Sequence, residues 1–311
     1  MVAISEIDKY ALQGYYSLHD ENILNLGDIT KINIEDIPQH DLFTYSFPCQ
    51  DISVAGKTKG IVKGETRSGL LYECEKIIEH CKPKYLLMEN VKNLVGKKFK
   101  GDFDKWLEYL EKLGYTNYWK VLNAKDYGVP QNRERVFCIS ILGEHEKYEF
   151  PKPIPLTKRI ADILEEQVED KYYLSDEIKL RFLPFLKNDN KQSKQISIPQ
   201  ATKKGFIELE VPGICDMTYP KSKTRRGRVQ KKGQMCPTLT AARQEILYID
   251  EIKEDFKIRK LTPKECFRLM GLTDNDIEKI QATGLSDTQQ YKMAGNSIVV
   301  DVLEAIFKNL F

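Results

Sequence analysis

Asp41-Leu42-Phe43-Thr44-Tyr45-Ser46-Phe47-Pro48-Cys49-Gln50-Asp51-Ile52-Ser53 is the stretch on which the reading of this chain turns. Asp41 to Tyr45 is short, apolar and β-favouring, and the pattern predicts a strand. A proline then stiffens the turn, and the cysteine after it is well placed to present a thiolate into a cleft. A buried structural cysteine is the competing reading, because unpaired cysteines are among the most buried residues. Three further stretches weigh toward chemistry. Leu86-Leu87-Met88-Glu89-Asn90-Val91 is a second strand ending in an acid; Gln131-Asn132-Arg133-Glu134-Arg135 and Gly295-Asn296-Ser297 follow in order.

The totals set bounds. A chain of 311 residues allows two domains, or one large domain with an insert. An apolar fraction of 41% supports a sizeable core. The net charge of +2 does not by itself announce a nucleic-acid binder, so the distribution of charge has to be examined. Seven cysteines and four scattered histidines give no CxxC pair and no zinc spacing, so no metal is expected. Free thiols point to a reducing, cytoplasmic compartment. No apolar run approaches a membrane span, so no membrane partner is expected.

Met1 to Ser5 is β-prone, and Lys9 to Leu18 reads as a helix. The acid between them, Glu6, stands where Rossmann-like folds hydrogen-bond a ribose; alternatively it is a solvated acid favoured at a helix N-terminus. Gly27-Asp28-Ile29-Thr30 reads on its own as a turn with an Asx hydrogen bond. The segment from Asp51 to Arg67 is rich in glycine and carries Lys57, Lys59 and Lys63; alone it is a surface loop, and beside a nucleophile it reads as a lid. Apolar stripes predict helices over Leu70 to Cys81 and Asp102 to Leu113. Strands are expected at Lys84 to Met88, Trp119 to Leu122 and Val136 to Leu142, and the alternation argues a doubly wound parallel sheet.

Three prolines between Pro151 and Pro155 mark a boundary, and the α/β rhythm is lost from about residue 158 to 258. Lys187 to Gln195 looks like an exposed loop. Lys221 to Lys232 holds seven Lys or Arg and no acid, which is either a solvated surface or a phosphate-contacting patch. Thr262, Pro263 and Glu265 form a helix start with a capping box. An apolar helix is expected from Ile298 to Phe307.

Taken together, Pro48-Cys49-Gln50, Glu89-Asn90-Val91, Gln131-x-Arg133-x-Arg135 and Gly295-Asn296-Ser297 resemble, in order and interval, the motif series of the cytosine-5 DNA methyltransferases, and the resemblance covers nearly the whole chain. It implies an α/β fold: a Rossmann-like S-adenosylmethionine-dependent methyltransferase sheet with a smaller, irregular, β-rich target-recognition domain. The expected division is 1–157 plus 284–311 for catalysis and cofactor, and 158–283 for target recognition. The implied activity is methyl transfer to C5 of a flipped-out cytosine in duplex DNA through a covalent Cys49 adduct.

The same resemblance assigns roles. Cys49 is the nucleophile, Glu89 the acid facing the base edge, and Arg135 and Arg133 its cationic support. Arg133 and Arg135 alternate, so on one strand they would share a face. For the cofactor, Glu6 matches the acid that holds the ribose hydroxyls, Ile7 an adenine contact, Asp28 the acceptor for the adenine amino group and Ile29 its apolar neighbour. Pro48, Leu70, Asn296 and Ser297 complete that set. DNA contacts are expected at Gln50, Ser53, Lys57 and Lys59, at Arg225, Arg226 and Arg228, and at Thr240. Duplex DNA is the expected partner, and a cognate restriction endonuclease is a candidate one.

One feature of the pattern departs. The family opens on a strand and a Phe-x-Gly-x-Gly loop about thirty residues before the acid matched by Glu6, whereas five residues precede Glu6 here. The expectations are a start internal to a longer gene, a second chain supplying the first strand, or a decayed copy that binds DNA without catalysis. An RNA cytosine-5 methyltransferase on the same fold is a further alternative.

Overall fold

The computed structural model describes residues 1–19, 21–48, 67–186, 194–241, 245–252 and 256–311. Cys49, Gln50, Ser53, Lys57 and Lys59, with the expected lid, lie outside the described residues, as does most of the loop expected at 187–195.

The N-terminal half follows the predicted rhythm closely. Strand β1 (Ala3–Ile4) leads to helix α1 (Lys9–Leu18), started by the Asp8 carboxylate, which accepts from the Tyr10 and Ala11 amides. Strand β2 (Leu24–Asn25) pairs parallel with β1. Then come β3 (Leu42–Tyr45), α2 (Leu71–Cys81), β4 (Tyr85–Val91), α3 (Lys100–Lys112), β5 (Tyr115–Asn123), β6 (Gln131–Asn132) and β7 (Glu134–Leu142). Helix α2 buries Leu71, Cys74, Ile77, Ile78 and Cys81 on one stripe and ends on Lys82 in the left-handed region. Helix α3 buries Phe103, Trp106, Leu107 and Leu110, and Gly114 at φ +93° turns the chain after it.

The main sheet has the order β3–β4–β7–β5. β3 and β4 are parallel, but β7 runs antiparallel to β4, so the sheet is mixed where a parallel one was expected. The reason is local. Only residues 124–133 separate β5 from β7, too few for the helical crossover that a parallel connection requires. Strand β4 also runs farther than predicted, through Glu89 and Asn90 to Val91.

The chain forms two compact units, one of Met1–Leu122, Glu134–Lys152 and Ile306–Phe311, the other of Asn123–Arg133 and Pro153–Ala305. The core of the first packs Ile78, Leu86, Met88, Leu110 and Val136 beneath the sheet's helices.

The second unit has the irregular β character read from residues 158–258. Helix α4 (Asp176–Lys179) is one turn; β8 (Gln195–Pro199) and β9 (Phe206–Glu210) form an antiparallel pair. β10 (Gly213–Asp216), β12 (Ile246–Ile252) and β13 (Phe256–Lys260) form an antiparallel sheet in the order β10–β12–β13, while β11 (Cys236–Pro237) pairs parallel with β6. Leu209, Cys215, Leu247, Ile249 and Ile258 fill its core. Helices α5 (Pro263–Arg268), α6 (Asp274–Ala282), α7 (Asp287–Asn296) and α8 (Val300–Leu310) follow, the last starting two residues later than expected. The capping box at Thr262 and Glu265 is present in both directions.

Candidate active site

β3 and β4 lie side by side and parallel, with Tyr45 opposite Met88, so both strands end at the same edge of the sheet. That edge is where ligands bind in open α/β sheets. Beyond β3 the chain continues through Ser46, Phe47 and Pro48 toward Cys49. Its path is held from β4: the Asn90 side-chain amide donates to the Phe47 carbonyl at 3.0 Å. Below, the Trp106 indole N–H donates to the Tyr45 hydroxyl at 3.0 Å in the core.

Glu89 stands beside Asn90 on β4 and is only 9% exposed. Diagonally across on β7, opposite Val91, is Arg135, whose Nε lies 3.0 Å from Glu89 Oε1, while Ser46 Oγ approaches Oε2 at 3.4 Å. Arg135 Nη1 donates to the Glu134 carbonyl at 2.8 Å. The nearby Lys92 pairs with Glu134 at 2.7 Å. A carboxyl group fixed by a guanidinium and a hydroxyl at a sheet edge can accept from a ligand placed over it when ionised, and donate to it when protonated.

Arg133 departs from the expectation. It lies between β6 and β7, not on a continuous strand with Arg135, so the shared-face argument does not apply. It is 3% exposed, and its guanidinium donates to the carbonyls of Leu239 at 2.6 Å, Ser297 at 2.8 Å and Gly295 at 3.0 Å. Its visible work is to tie the Gly295-Asn296-Ser297 turn to the segment at Leu239. Gln131 adds to that tie, accepting from the Leu239 amide at 3.1 Å and donating to the Leu269 carbonyl at 2.7 Å. Asn296 is exposed at the end of α7, and the Ser297 hydroxyl donates to the Met293 carbonyl at 2.8 Å.

The cofactor expectations fall on the loops after β1 and β2. Glu6 Oε1 accepts from the Ile7 and Asp8 amides at 2.7 Å each, which holds the carboxylate at the strand end. Asn25 bridges the two loops, accepting from the Glu6 amide and donating to its carbonyl, both at 3.1 Å. Ile7 is 77% exposed, a large apolar side chain beside two acids. Asp28 accepts from the Thr30 hydroxyl at 2.8 Å and amide at 3.0 Å; these hydrogen bonds, with Lys31 nearby, hold its carboxyl below the usual range. The turn read from the sequence is therefore present. Two carboxylates and an exposed apolar residue at the ends of parallel strands fit an adenosine: polar acceptors for hydroxyl and amino groups, and an apolar face for the ring. Ile29 and Leu70 are half-buried, as is Pro48.

Among the described residues all six cysteines are buried and unpaired. Burial pushes the Cys74 and Cys138 thiols up to about 12 and raises Cys81, Cys215, Cys236 and Cys266 as well. None of these suits a nucleophile at neutral pH.

The basic run is less uniform than its sequence. Arg226 is exposed and Thr240 is exposed; Arg225 is half-buried and ion-paired with Asp216. Arg228 corrects the expectation of a phosphate contact: it is 0% exposed, and its guanidinium donates inward to main-chain carbonyls. A run of like charges says nothing of which members a loop folds under itself. Ser46 and Asn90 were missed as supporting residues, although Asn90 stands within the Glu-Asn-Val stretch that drew attention to Glu89. No helix among the described residues is long and apolar enough to cross a membrane.

Comparison with known proteins agrees with this geometry. The family profile of the C-5 cytosine-specific DNA methylases matches residues 1–311. The chain is 44% identical over 309 residues to the type II methyltransferase M2.ScrFI of Lactococcus lactis subsp. cremoris, covering 98% of this chain and 76% of that protein. It is 36% identical over 314 residues to the type II methyltransferase M.SsoII of Shigella sonnei, covering 100% and 73%. Among solved structures it resembles the S. pombe Dnmt2 methyltransferase, with a TM-score of 0.64 at 18% identity over 100% of this chain and 90% of that one. With a sheet of this kind, an acid and arginine paired on β4 and β7, and a family profile matching from end to end, the chain belongs to the C-5 cytosine-specific DNA methylase family.

Proposed function

We propose that this protein methylates C5 of a cytosine in a specific duplex DNA sequence, with S-adenosylmethionine as methyl donor and Cys49 as covalent nucleophile. The observation that carries the reading is the Glu89–Arg135 pair on the adjacent strands β4 and β7, β4 lying beside the strand that leads to Pro48, with Asn90 holding the Phe47 carbonyl two residues before the cysteine.

Ring carbon C5 of cytosine is a poor nucleophile. Attack of the Cys49 thiolate on C6 forms a C–S bond and converts the ring into an enamine, dividing one hard step into two easier ones. The electrons displaced toward N3 need a donor there, and Glu89 supplies the proton or hydrogen bond. Arg135 fixes the Glu89 carboxyl and offers its positive charge to the carbonyl O2 side of the ring. After methylation the C5 proton leaves and the C6–S bond breaks, returning the thiolate. S-adenosylmethionine supplies the methyl as a sulfonium. Glu6, Ile7, Asp28 and Ile29 are assigned to its adenosine, Pro48 and Leu70 to its neighbourhood, and Asn296 and Ser297 to the same set by motif resemblance. A base inside a duplex is out of reach, so the target cytosine is flipped out. Gln50, Ser53, Lys57 and Lys59 are assigned to the DNA beside the nucleophile, within a catalytic domain of 1–157 plus 284–311; the target-recognition domain is 158–283. A cytoplasmic enzyme acting beside a cognate restriction endonuclease fits the company of its type II relatives.

The test is transfer of label from S-adenosylmethionine to unmethylated mixed-sequence duplex DNA, with tRNA in parallel. Label in DNA as 5-methylcytosine, lost in Cys49→Ala, is the expected result. Label confined to tRNA, or full turnover by Cys49→Ala, would sink the proposal.

A further inference from the structure

The basic run at Lys221–Lys232 faces two ways. Lys221, Lys223 and Arg226 are exposed, whereas Arg225 and Arg228 turn inward and shape the loop that carries them. Buried Asp216, at the end of β10, accepts from the Thr218 amide at 2.9 Å and hydroxyl at 2.6 Å, and pairs with Arg225. Arg228 passes beneath, its Nη2 donating to the carbonyls of Tyr219 at 2.6 Å and Ser222 at 3.2 Å. Ser222 Oγ accepts from the Arg225 amide at 3.2 Å. Two arginines and one acid thus set the loop from within, and its outer surface carries lysine, arginine and no acid.

On that surface stands Tyr219, 61% exposed, with the Arg225 guanidinium 5.2 Å from its ring centroid. The cation–π contact and the carbonyl hydrogen bond to Arg228 hold the residue in place, so little ordering entropy remains to be lost on contact. The loop borders a groove of about 870 Å³, whose far side includes Leu180, Arg181 and Phe185. An exposed, anchored aromatic with the Arg225 guanidinium over its ring, and Arg181 and Lys221 lining the same groove, suits one occupant, a polyanion that offers flat apolar surface between its charges.

We infer that residues 218–227 read the target sequence in duplex DNA, with Tyr219 meeting the base edges, and Lys221, Lys223 and Arg226 holding the flanking phosphates. The inference rests on the function proposed above and divides its labour: the cations supply affinity, Tyr219 supplies specificity. Arg228 is a positioning residue, acting through the loop main chain and never touching DNA.

The experiment selects bound duplexes from a pool with a randomised central segment, using the full chain, and measures salt dependence on the selected duplex. Methyl transfer to the same pool is followed separately. Tyr219→Ala relaxes base preference at one or two positions and weakens binding to the preferred duplex roughly tenfold or more, while Tyr219→Phe keeps both. Arg226→Gln weakens all duplexes alike and lowers the salt slope by about one. A folded Arg228→Gln variant relaxes preference with the salt slope unchanged; a slope lowered by about one would make Arg228 a phosphate contact and end its positioning role. Wild-type preference in a folded Tyr219→Ala variant overturns the inference, as does a wild-type chain that selects no sequence. Sequence selection without methyl transfer would leave the loop reading intact and strike the enzymatic one.

Discussion

Gly295 makes room for Thr240. A β-carbon on Gly295 would stand 2.2 Å from the Thr240 carbonyl carbon and 2.4 Å from the Ala241 nitrogen, both rigid main-chain atoms. The glycine of the Gly-Asn-Ser motif is thus a packing necessity, with the Arg133 guanidinium joining the same two segments through their carbonyls. Gly295→Ala has to push main chain apart, and the expected loss is about 3 kcal/mol or more of unfolding free energy. Urea unfolding of the variant checks this; a loss below about 1 kcal/mol would mean that the segments part easily.

Glu89 and Arg135 make separable predictions. Glu89→Gln keeps the size and the hydrogen bond to Ser46 but cannot deliver a proton, so kcat should fall by about 10²- to 10⁴-fold with DNA binding largely retained. Arg135→Met removes the group that orients the acid, and both kcat and the affinity for the target DNA should fall. Single-turnover methylation with independent DNA-binding measurements separates the two; equal effects on binding alone would deny Glu89 its acid role.

Arg259 and Glu265 form a bidentate pair at 2.8 Å for both contacts, 3% and 0% exposed respectively. The same carboxylate accepts from the Thr262 amide at 2.8 Å and the Glu165 amide at 3.0 Å, so one side chain both starts α5 and anchors a distant loop. Glu265→Gln strands a buried cation and should cost about 3–5 kcal/mol. The double variant Glu265→Gln with Arg259→Met should recover part of that loss, which thermal or urea unfolding would reveal; additive losses would show that the guanidinium is not stranded.

Acid sensitivity should be visible at Asp274. Paired hydrogen bonds from Arg268, at 2.7 Å and 2.6 Å, hold its carboxyl at about 2, with Lys264 assisting. A carboxylate with a depressed value contributes stability above its unfolded value, and that contribution disappears as pH falls toward 2. The side chain is about half exposed, so water screens the pair and the benefit stays below about 1 kcal/mol. Asp274→Asn should be slightly less stable than the parent at pH 7 and equal to it near pH 2. A difference that grows on acidification would be the wrong sign.

Much of this was legible where the cue is local. The limits of α1 coincide with the Lys9 to Leu18 run read from the sequence, and the Thr262–Glu265 capping box forms as its spacing demands. What escaped depends on direction and distance. Sequence period could not show that β7 enters the sheet antiparallel to β4, because that follows from the short connection after β5. Nor could charge show that Arg228 points inward while Arg226 points out, since the distinction is made by carbonyls a loop away. Arg133 and Arg135, two residues apart and alike in charge, separate because a strand breaks between them.

The pairing of β6 with β11 bears on how such an enzyme can be rebuilt. Cys236 and Pro237 lie in register with Gln131 and Asn132, the Thr238 hydroxyl donates to the Asn132 carbonyl, and Asn132 donates to Gln230 at 3.1 Å. Residues 230–240 are therefore matched to the Gln131-Asn132-Arg133 stretch as a plug is to its socket. A graft meant to import another sequence preference should end before Gln230 and leave the plug native. A graft carried through Thr240 would bring in foreign partners for Gln131, Asn132 and Arg133, and the chimaera would fail at the joint before its new loop ever met a substrate.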